Sequence, residues 1–178
     1  MGREMAEEFD RAWWRDHLEN GRFPRELWRR LGEHGHLGTM VPRDDGGSGG
    51  TVTELALVTE GLAASGFPLL ALITGPGLAL PVIAASGARS LREKVLARAL
   101  SGEELIAFSI TERDAGSNIL AIATRAEVVG DEVVLTGAKV YSSVADIAEH
   151  TLIVARTPDP GSDRLGFSVV LVPADAPA

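Results

Sequence analysis

The hydrophobic pattern of the chain changes its period after Ser101-Gly102, and this change constrains the fold more than any other feature. Before that point, apolar residues such as Leu27, Trp28 and Leu31 recur among charges at helical spacing. After it, short β-branched runs are separated by Gly, Asp, Asn or Pro, which is typical of strands. The sequence therefore predicts an α+β protein, with an N-terminal α-helical bundle over residues 1–104 and a small, incomplete antiparallel β-barrel-like domain over residues 105–178.

Capping and turn residues place the individual elements. Thr51 or Thr53 is the expected N-cap of a helix, Ser90 is the expected N-cap of another, and Gly130-Asp131 predicts a hairpin. Further helices are predicted over residues 4–19, 24–34, 77–85 and 91–100. Strands are predicted over residues 105–110, 121–129, 132–135, 139–143, 151–156 and 167–172.

Composition excludes several classes of protein. The chain has no cysteine, which excludes disulfides and cysteine-ligated metals, so redox chemistry would need an organic cofactor or a metal held by N and O ligands. A net charge of −8 argues against a nucleic-acid partner. The most apolar run, residues 67–85, is interrupted by Pro68, Pro76 and Pro81, which argues against a membrane span. A cytoplasmic protein is expected, since no signal peptide is evident.

The strongest local signal is the segment AFSITERDAGSN, residues 107–118. A short apolar strand leads directly into a polar turn, which crowds backbone N–H groups and hydroxyls at a strand end. Such a turn can donate hydrogen bonds to carbonyl or phosphate oxygens of a ligand. The alternative is an ordinary turn rich in Asp, Gly and Ser, and composition alone leaves both interpretations open.

Three ordered segments resemble motifs of the acyl-CoA dehydrogenase family. AFSITERDAGSN resembles its F-x-(I/L)-T-E-P-x-A-G-S-D signature, and GHLGTMVPRDDGGSGG, residues 35–50, resembles its glycine-rich loop. Residues 123–157, which include LTGAKVYSS and VART, resemble its L-x-G-x-K-x-(W/Y)-I-(T/S)-N and V-x-A-R-T stretches. Spacing agrees across nearly the whole chain, so a chance match is improbable.

The resemblance implies a flavoprotein with FAD as its cofactor. The residues that it places at the flavin are Phe108, Ile110, Thr111, Gly116, Ser117, Tyr141 and Ser143, and Ser117 would also contact the substrate. It implies α,β-desaturation of an acyl-CoA or acyl-carrier thioester, with electrons passing to an electron-transfer flavoprotein. It also implies a homo- or hetero-oligomer. In the family the catalytic base is a glutamate of a C-terminal helical domain, so the base is expected outside this chain, and the chain is expected to be the first part of a longer protein.

Four residues depart from the family motifs. Arg113 replaces proline, Asn118 replaces aspartate, Tyr141 stands for the commoner tryptophan and Val144 replaces asparagine. Two alternatives stay open, and the departures at Arg113 and Val144 permit the first of them. The first is a flavin monooxygenase or a carrier-protein-linked dehydrogenase of the same fold. The second is a non-catalytic subunit of a heteromeric acyl-CoA dehydrogenase.

Other candidate sites are weaker. His34 and His36 flank Gly35 at a spacing that does not place both rings on one helical face, so a helix-end role is expected and no metal site is predicted. The run of glycines at residues 46–50 lacks the Lys-Ser/Thr of a phosphate-binding loop. Lys139 is predicted to be a solvent-facing charge on a strand.

Overall fold

The computed structural model describes residues 8–158 and 165–177. The chain divides into two compact units, Met1–Leu105 and Ile106–Ala178. The described helices longer than one turn lie in the first unit and the described strands in the second. The predicted α+β class, helices followed by a β domain, is confirmed.

The helical unit is formed by amphipathic and capped helices. Asp10 caps α1 by accepting a hydrogen bond from the Trp13 amide at 2.7 Å. Thr51 is the N-cap of α3, as predicted, and forms a capping box with Glu54. The described helices are α1 (Arg11–Glu19), α2 (Arg25–Glu33), α3 (Val52–Ala64), α4 (Ala71–Thr74), α5 (Leu80–Ser86) and α6 (Arg89–Leu100). The largest fully buried side chains of this unit include Trp28, Phe67, Leu31, Leu62, Leu72 and Leu96.

Two helix predictions were wrong in detail. A single helix over residues 77–85 is replaced by a π-helical turn, Gly75–Ala79, that continues into α5. Pro81 has no N–H for the helical ladder, and such a gap favours a local widening of the turn. Ser90 does not cap a helix, because α6 begins at Arg89 after the extended residue Ala88.

The second unit is one sheet of five described strands. These are β1 (Ile106–Ser109), β2 (Arg125–Val129), β3 (Glu132–Thr136), β4 (His150–Pro158) and β5 (Leu165–Pro173). β2 and β3 form the predicted hairpin at Gly130-Asp131, and β5 pairs with β4 over its whole length. β4 is also the parallel partner of β1 and, at Arg156, of β2. Among the described residues the sheet is mixed, because it combines parallel and antiparallel pairs, and open, because no pairing joins its outer strands.

The segments around the turn after β1 also differ from the prediction. The predicted strand over residues 139–143 is not a strand, because Tyr141 has a left-handed backbone with φ of 57°. β2 begins at Arg125 and not at residue 121. Residues Ile119–Ala121 form a 3₁₀ turn, and the amides of Ala123 and Thr124 bind a carboxylate instead of a neighbouring strand.

Within the described residues, no helix combines the length and the apolar character that crossing a bilayer requires.

Candidate functional site: the turn after β1 and the segment that binds it

The turn after β1 is a tight two-residue loop. Glu112 and Ala115 exchange two backbone hydrogen bonds, at 3.1 and 3.2 Å, and project Arg113 and Asp114 into solvent. The next residues, Gly116, Ser117 and Asn118, are also exposed. The turn therefore exposes the Ser117 hydroxyl and its neighbours near the end of a strand.

A second segment, residues 139–143, lies against the end of β1. The Val140 amide donates to the Thr111 carbonyl at 2.9 Å, and the Lys139 ammonium donates to the Ile110 carbonyl at 3.0 Å. The hydroxyls of Ser109 and Ser142 form a further hydrogen bond. The structure thus joins two segments that the resemblance assigns to the same flavin.

The sequence-predicted site residues take different positions on these segments. Phe108 and Ile110 are half-buried and alternate with the buried Ser109. Their side chains therefore lie on the face of the sheet opposite to that of Ser109. Thr111 and Ser143 are half-buried, whereas Gly116 and Ser117 are exposed. Tyr141 is 92% exposed. Hydrogen bonds join the strand end at residues 109–111 to residues 139–142, but they do not link Gly116 or Ser117 to Tyr141 or Ser143 within the described part of the chain.

A buried ion pair lies between the two segments. The Lys139 ammonium is 2.8 Å from the Glu112 carboxylate, and the side chains are 8% and 10% exposed. The same carboxylate accepts the amides of Ala123 at 2.6 Å and Thr124 at 2.9 Å, and the Thr124 hydroxyl. The prediction that Lys139 is a solvent-facing strand charge was wrong, because its flanking apolar residues do not form a strand and the ammonium turns inward to Glu112. The sequence did contain a signal, namely the acidic Glu112 soon after an apolar strand. If such a carboxylate is buried, it needs a partner.

Glu112 is a poor proton acceptor in this environment. Burial raises the pKa of its carboxyl group, but hydrogen bonds from Lys139, Thr124 and the amides of Ala123 and Thr124 outweigh burial and lower the pKa to about 2. The carboxylate therefore stays ionised, and its hydrogen bonds connect the turn to Lys139 and to residues 123–124.

Glu112 should make the free energy of unfolding depend on pH at acidic pH. Its pKa is lowered on folding, so its contribution is present above the ordinary value of 4.5 and is lost as pH falls through about 2. We expect the unfolding free energy of the wild type to fall more steeply between these values than that of Glu112→Gln. Denaturant unfolding at a series of pH values measures both slopes, and parallel curves would contradict the assignment.

A cavity of about 310 Å³ lies on the Ser109 face of the same unit. Its polar side is formed by Ser109, Thr124, Lys139 and Ser142, and its apolar side includes Leu135, Ile153 and Val172. Gly137 also lines it, with φ of 154°, and a Cβ there would lie 2.5 Å from the Thr124 hydroxyl oxygen. Residue 137 is thus packed directly on the residue that binds Glu112.

Comparison with known families assigns both units. The model of the acyl-CoA dehydrogenase N-terminal domain matches residues 1–103, and that of the acyl-CoA dehydrogenase middle domain matches residues 107–178. The chain belongs to the acyl-CoA dehydrogenase family. Members of this family are FAD-binding oxidoreductases that act on CH–CH donors.

Individual relatives agree with this assignment. Acyl-CoA dehydrogenase FadE12 of Mycobacterium tuberculosis is 37% identical over 85% of this chain and 39% of its own length. A crystal structure of a probable acyl-CoA dehydrogenase from Mycobacterium abscessus superimposes with a TM-score of 0.85 at 32% identity, over 99% of this chain and 47% of that one. An FAD complex of PigA gives 0.81 at 26% identity, over 99% and 46%. The chain thus spans less than half the length of these proteins.

The residues present fit a flavin. None of the hydroxyls of Thr111, Ser117 and Ser143 has a hydrogen-bond partner among the residues that the structure describes, so all three are free to bind a ligand. Tyr141 has a left-handed backbone and a side chain that is almost fully exposed, so its ring is available to a ligand. The Glu112 charge is matched by Lys139, so it does not repel electron density on a neighbouring ring.

Proposed function

We propose that residues 107–118 and 139–143 form one wall of a flavin site, called the flavin wall below. The site would belong to an acyl-CoA dehydrogenase that desaturates an acyl thioester between its α and β carbons. When bound, FAD would accept the hydride that leaves the β carbon. The observation that carries the proposal is the joining of residues 107–118 and 139–143 at the end of β1 in a chain of this family.

In this proposal the chain's own residues bind and orient the flavin and the thioester. The hydroxyls of Thr111 and Ser143 donate hydrogen bonds to polar edges of the flavin, and preorganised donors of this kind stabilise charge that develops on reduction. Gly116 and Ser117 are proposed to meet the FAD phosphate and the substrate. Phe108, Ile110 and Tyr141 are proposed to contact the ring system through backbone and apolar surface.

The proton of the α carbon needs a separate acceptor. A general base works best with a pKa near the operating pH, and Glu112, with a pKa of about 2 and a cationic partner, does not qualify. Asp114 and Glu60 are exposed and are not assigned this role. We therefore propose that the base is a carboxylate outside this chain.

The partners follow from the same proposal. Electrons would leave to an electron-transfer flavoprotein, and the substrate would be an acyl-CoA or an acyl-carrier thioester. A homo- or hetero-oligomer is proposed because the family completes its flavin sites at subunit contacts. The proposed location is the cytoplasm.

Binding of FAD by the purified chain tests the proposal directly. We expect quenching of flavin fluorescence on binding, and Thr111→Val and Ser143→Ala should each weaken the affinity about fivefold, the value of about 1 kcal/mol per lost hydrogen bond. Thr157→Val is the matched control, since this hydroxyl bonds to Ser168 on β4 and β5, away from residues 107–118 and 139–143. Equal weakening by all three variants, or no binding by the wild type, would contradict the proposed function.

The alternatives have distinct signatures in the oxidised holoprotein. Oxygen consumption coupled to substrate hydroxylation, without electron transfer to an electron-transfer flavoprotein, would favour a flavin monooxygenase. The exposed Arg113, at a position where the family has proline, motivates that measurement. A stable heteromer with a separate catalytic chain in size-exclusion chromatography would favour a non-catalytic subunit.

A further inference from the structure

We propose that Lys139 and Glu112 are positioning residues, whose buried ion pair sets the place of residues 139–144 against the turn after β1 and so preforms the flavin wall. This inference rests on the proposed function, because the wall is the one described there. It adds a role for two residues that contact neither the proposed flavin nor the substrate.

The bonds made by Lys139 all reach across to the other segment. Its ammonium donates to the Glu112 carboxylate at 2.8 Å and to the Ile110 carbonyl at 3.0 Å. One side chain therefore bonds to the residue that follows β1 and to the first residue of the turn, on either side of Thr111. Lys139 is also only two residues from Tyr141 along the chain.

Glu112 extends the connection to a third segment. Its carboxylate accepts the amides of Ala123 and Thr124 and the Thr124 hydroxyl, while its backbone closes the turn with Ala115. The pair thus joins the turn, residues 123–124 and residue 139 in one buried network. Such a network specifies one arrangement when every member is bonded.

The backbone beyond Lys139 needs this support. Tyr141 and Val144 have φ of 57° and 58°, a region that non-glycine residues seldom occupy. A residue in such a conformation persists only where its surroundings over-determine it. Among the described residues, the hydrogen bonds that would still join residues 139–142 to residues 109–112 without the Lys139 ammonium are that of the Val140 amide to Thr111 and the Ser109–Ser142 hydroxyl pair. We therefore expect these residues to leave the strained conformation when the ammonium is removed.

The test compares Lys139→Met with the double variant Glu112→Gln/Lys139→Met. The single variant leaves a buried carboxylate without a cation, which destabilises the unit broadly. The double variant removes both charges. The single carbonyl oxygen of its glutamine still accepts the Thr124 amide, while the Ala123 amide loses its acceptor, so global stability returns in part and the link to residue 139 stays broken. Lys94→Met is the control, since Lys94 is the only other lysine and is exposed on α6.

Two quantities are measured on the full chain: amide hydrogen exchange without cofactor, and FAD affinity by fluorescence. In the double variant we expect exchange of residues 139–144 to accelerate by about tenfold more than that of β4 and β5, and FAD binding to weaken by about tenfold. Lys94→Met should change neither quantity. A merely structural pair predicts instead that residues 139–144 accelerate no more than β4 and β5 do.

The outcomes separate this inference from the proposed function. If the wild type binds no FAD, the proposed function fails, and the exchange rates still decide whether the pair positions residues 139–144. Acceleration of those residues beyond that of β4 and β5 supports the positioning role. Unchanged exchange there, or uniform acceleration across the sheet in the double variant, overturns it.

Discussion

Replacing Glu112 with alanine is expected to lower the free energy of unfolding of the β unit by about 3–5 kcal/mol, the usual cost of breaking a buried ion pair from one side. The substitution leaves the Lys139 ammonium, 8% exposed, without its carboxylate. It also removes the acceptor of the Ala123 and Thr124 amides. Native-state hydrogen exchange of β4 and β5 amides at increasing denaturant measures this loss.

The exposed ion pair of Arg89 and Glu93 is the matched control. Its atoms lie 2.8 Å apart, as in the buried pair, but the side chains are 85% and 63% exposed. Glu93→Ala should therefore change the free energy of unfolding by no more than about 0.5 kcal/mol. A loss below about 1 kcal/mol for Glu112→Ala would show that the buried pair does not hold the unit together.

The second large effect is expected for Gly137→Ala, at about 2–4 kcal/mol. The new Cβ would lie 2.5 Å from the Thr124 hydroxyl oxygen and 2.7 Å from the Thr124 Cα, and φ is 154°. Thr124 is not free to retreat, because both its amide and its hydroxyl bind Glu112. Thermal unfolding followed by circular dichroism measures the shift.

Gly130→Ala separates the cost of the steric clash from the cost of placing alanine at a positive φ. Gly130 also has a positive φ, 64°, but a Cβ there meets nothing within 4 Å. This variant should cost only about 1–2 kcal/mol, the ordinary price of a left-handed alanine. Equal effects at the two glycines would show that the contact with Thr124 carries no weight.

Local signals in the sequence predicted much of the fold. The change of period at residue 102 indicated the order of helices and strands, and Thr51 and Gly130-Asp131 located a helix start and a hairpin because capping and turn chemistry act over a few residues. The parallel pairing of β1 with β4 was not predictable in this way. It joins Ile106 to His150, and no local pattern encodes a partner so far along the chain.

The site shows the same division between local and distant causes. Motif resemblance singled out both segments, and the structure joins them at the end of β1. The resemblance did not reveal that Lys139 turns inward to Glu112. The apolar residues that flank Lys139 predicted a strand, but the backbone of Tyr141 is left-handed there. The specific contacts of Phe108, Ile110, Thr111, Gly116, Ser117, Tyr141 and Ser143 with a flavin stay predictions.

Strand β4 has a consequence for the order in which this region takes shape during synthesis. It aligns β1 and the start of β2 along one edge and β5 along the other. Both segments of the flavin wall are made before it, so a nascent chain that ends at residue 149 holds every wall residue without the strand that sets their register. Distant parallel pairing is slow to form. We therefore expect the wall to be completed only after residues 150–158 have emerged.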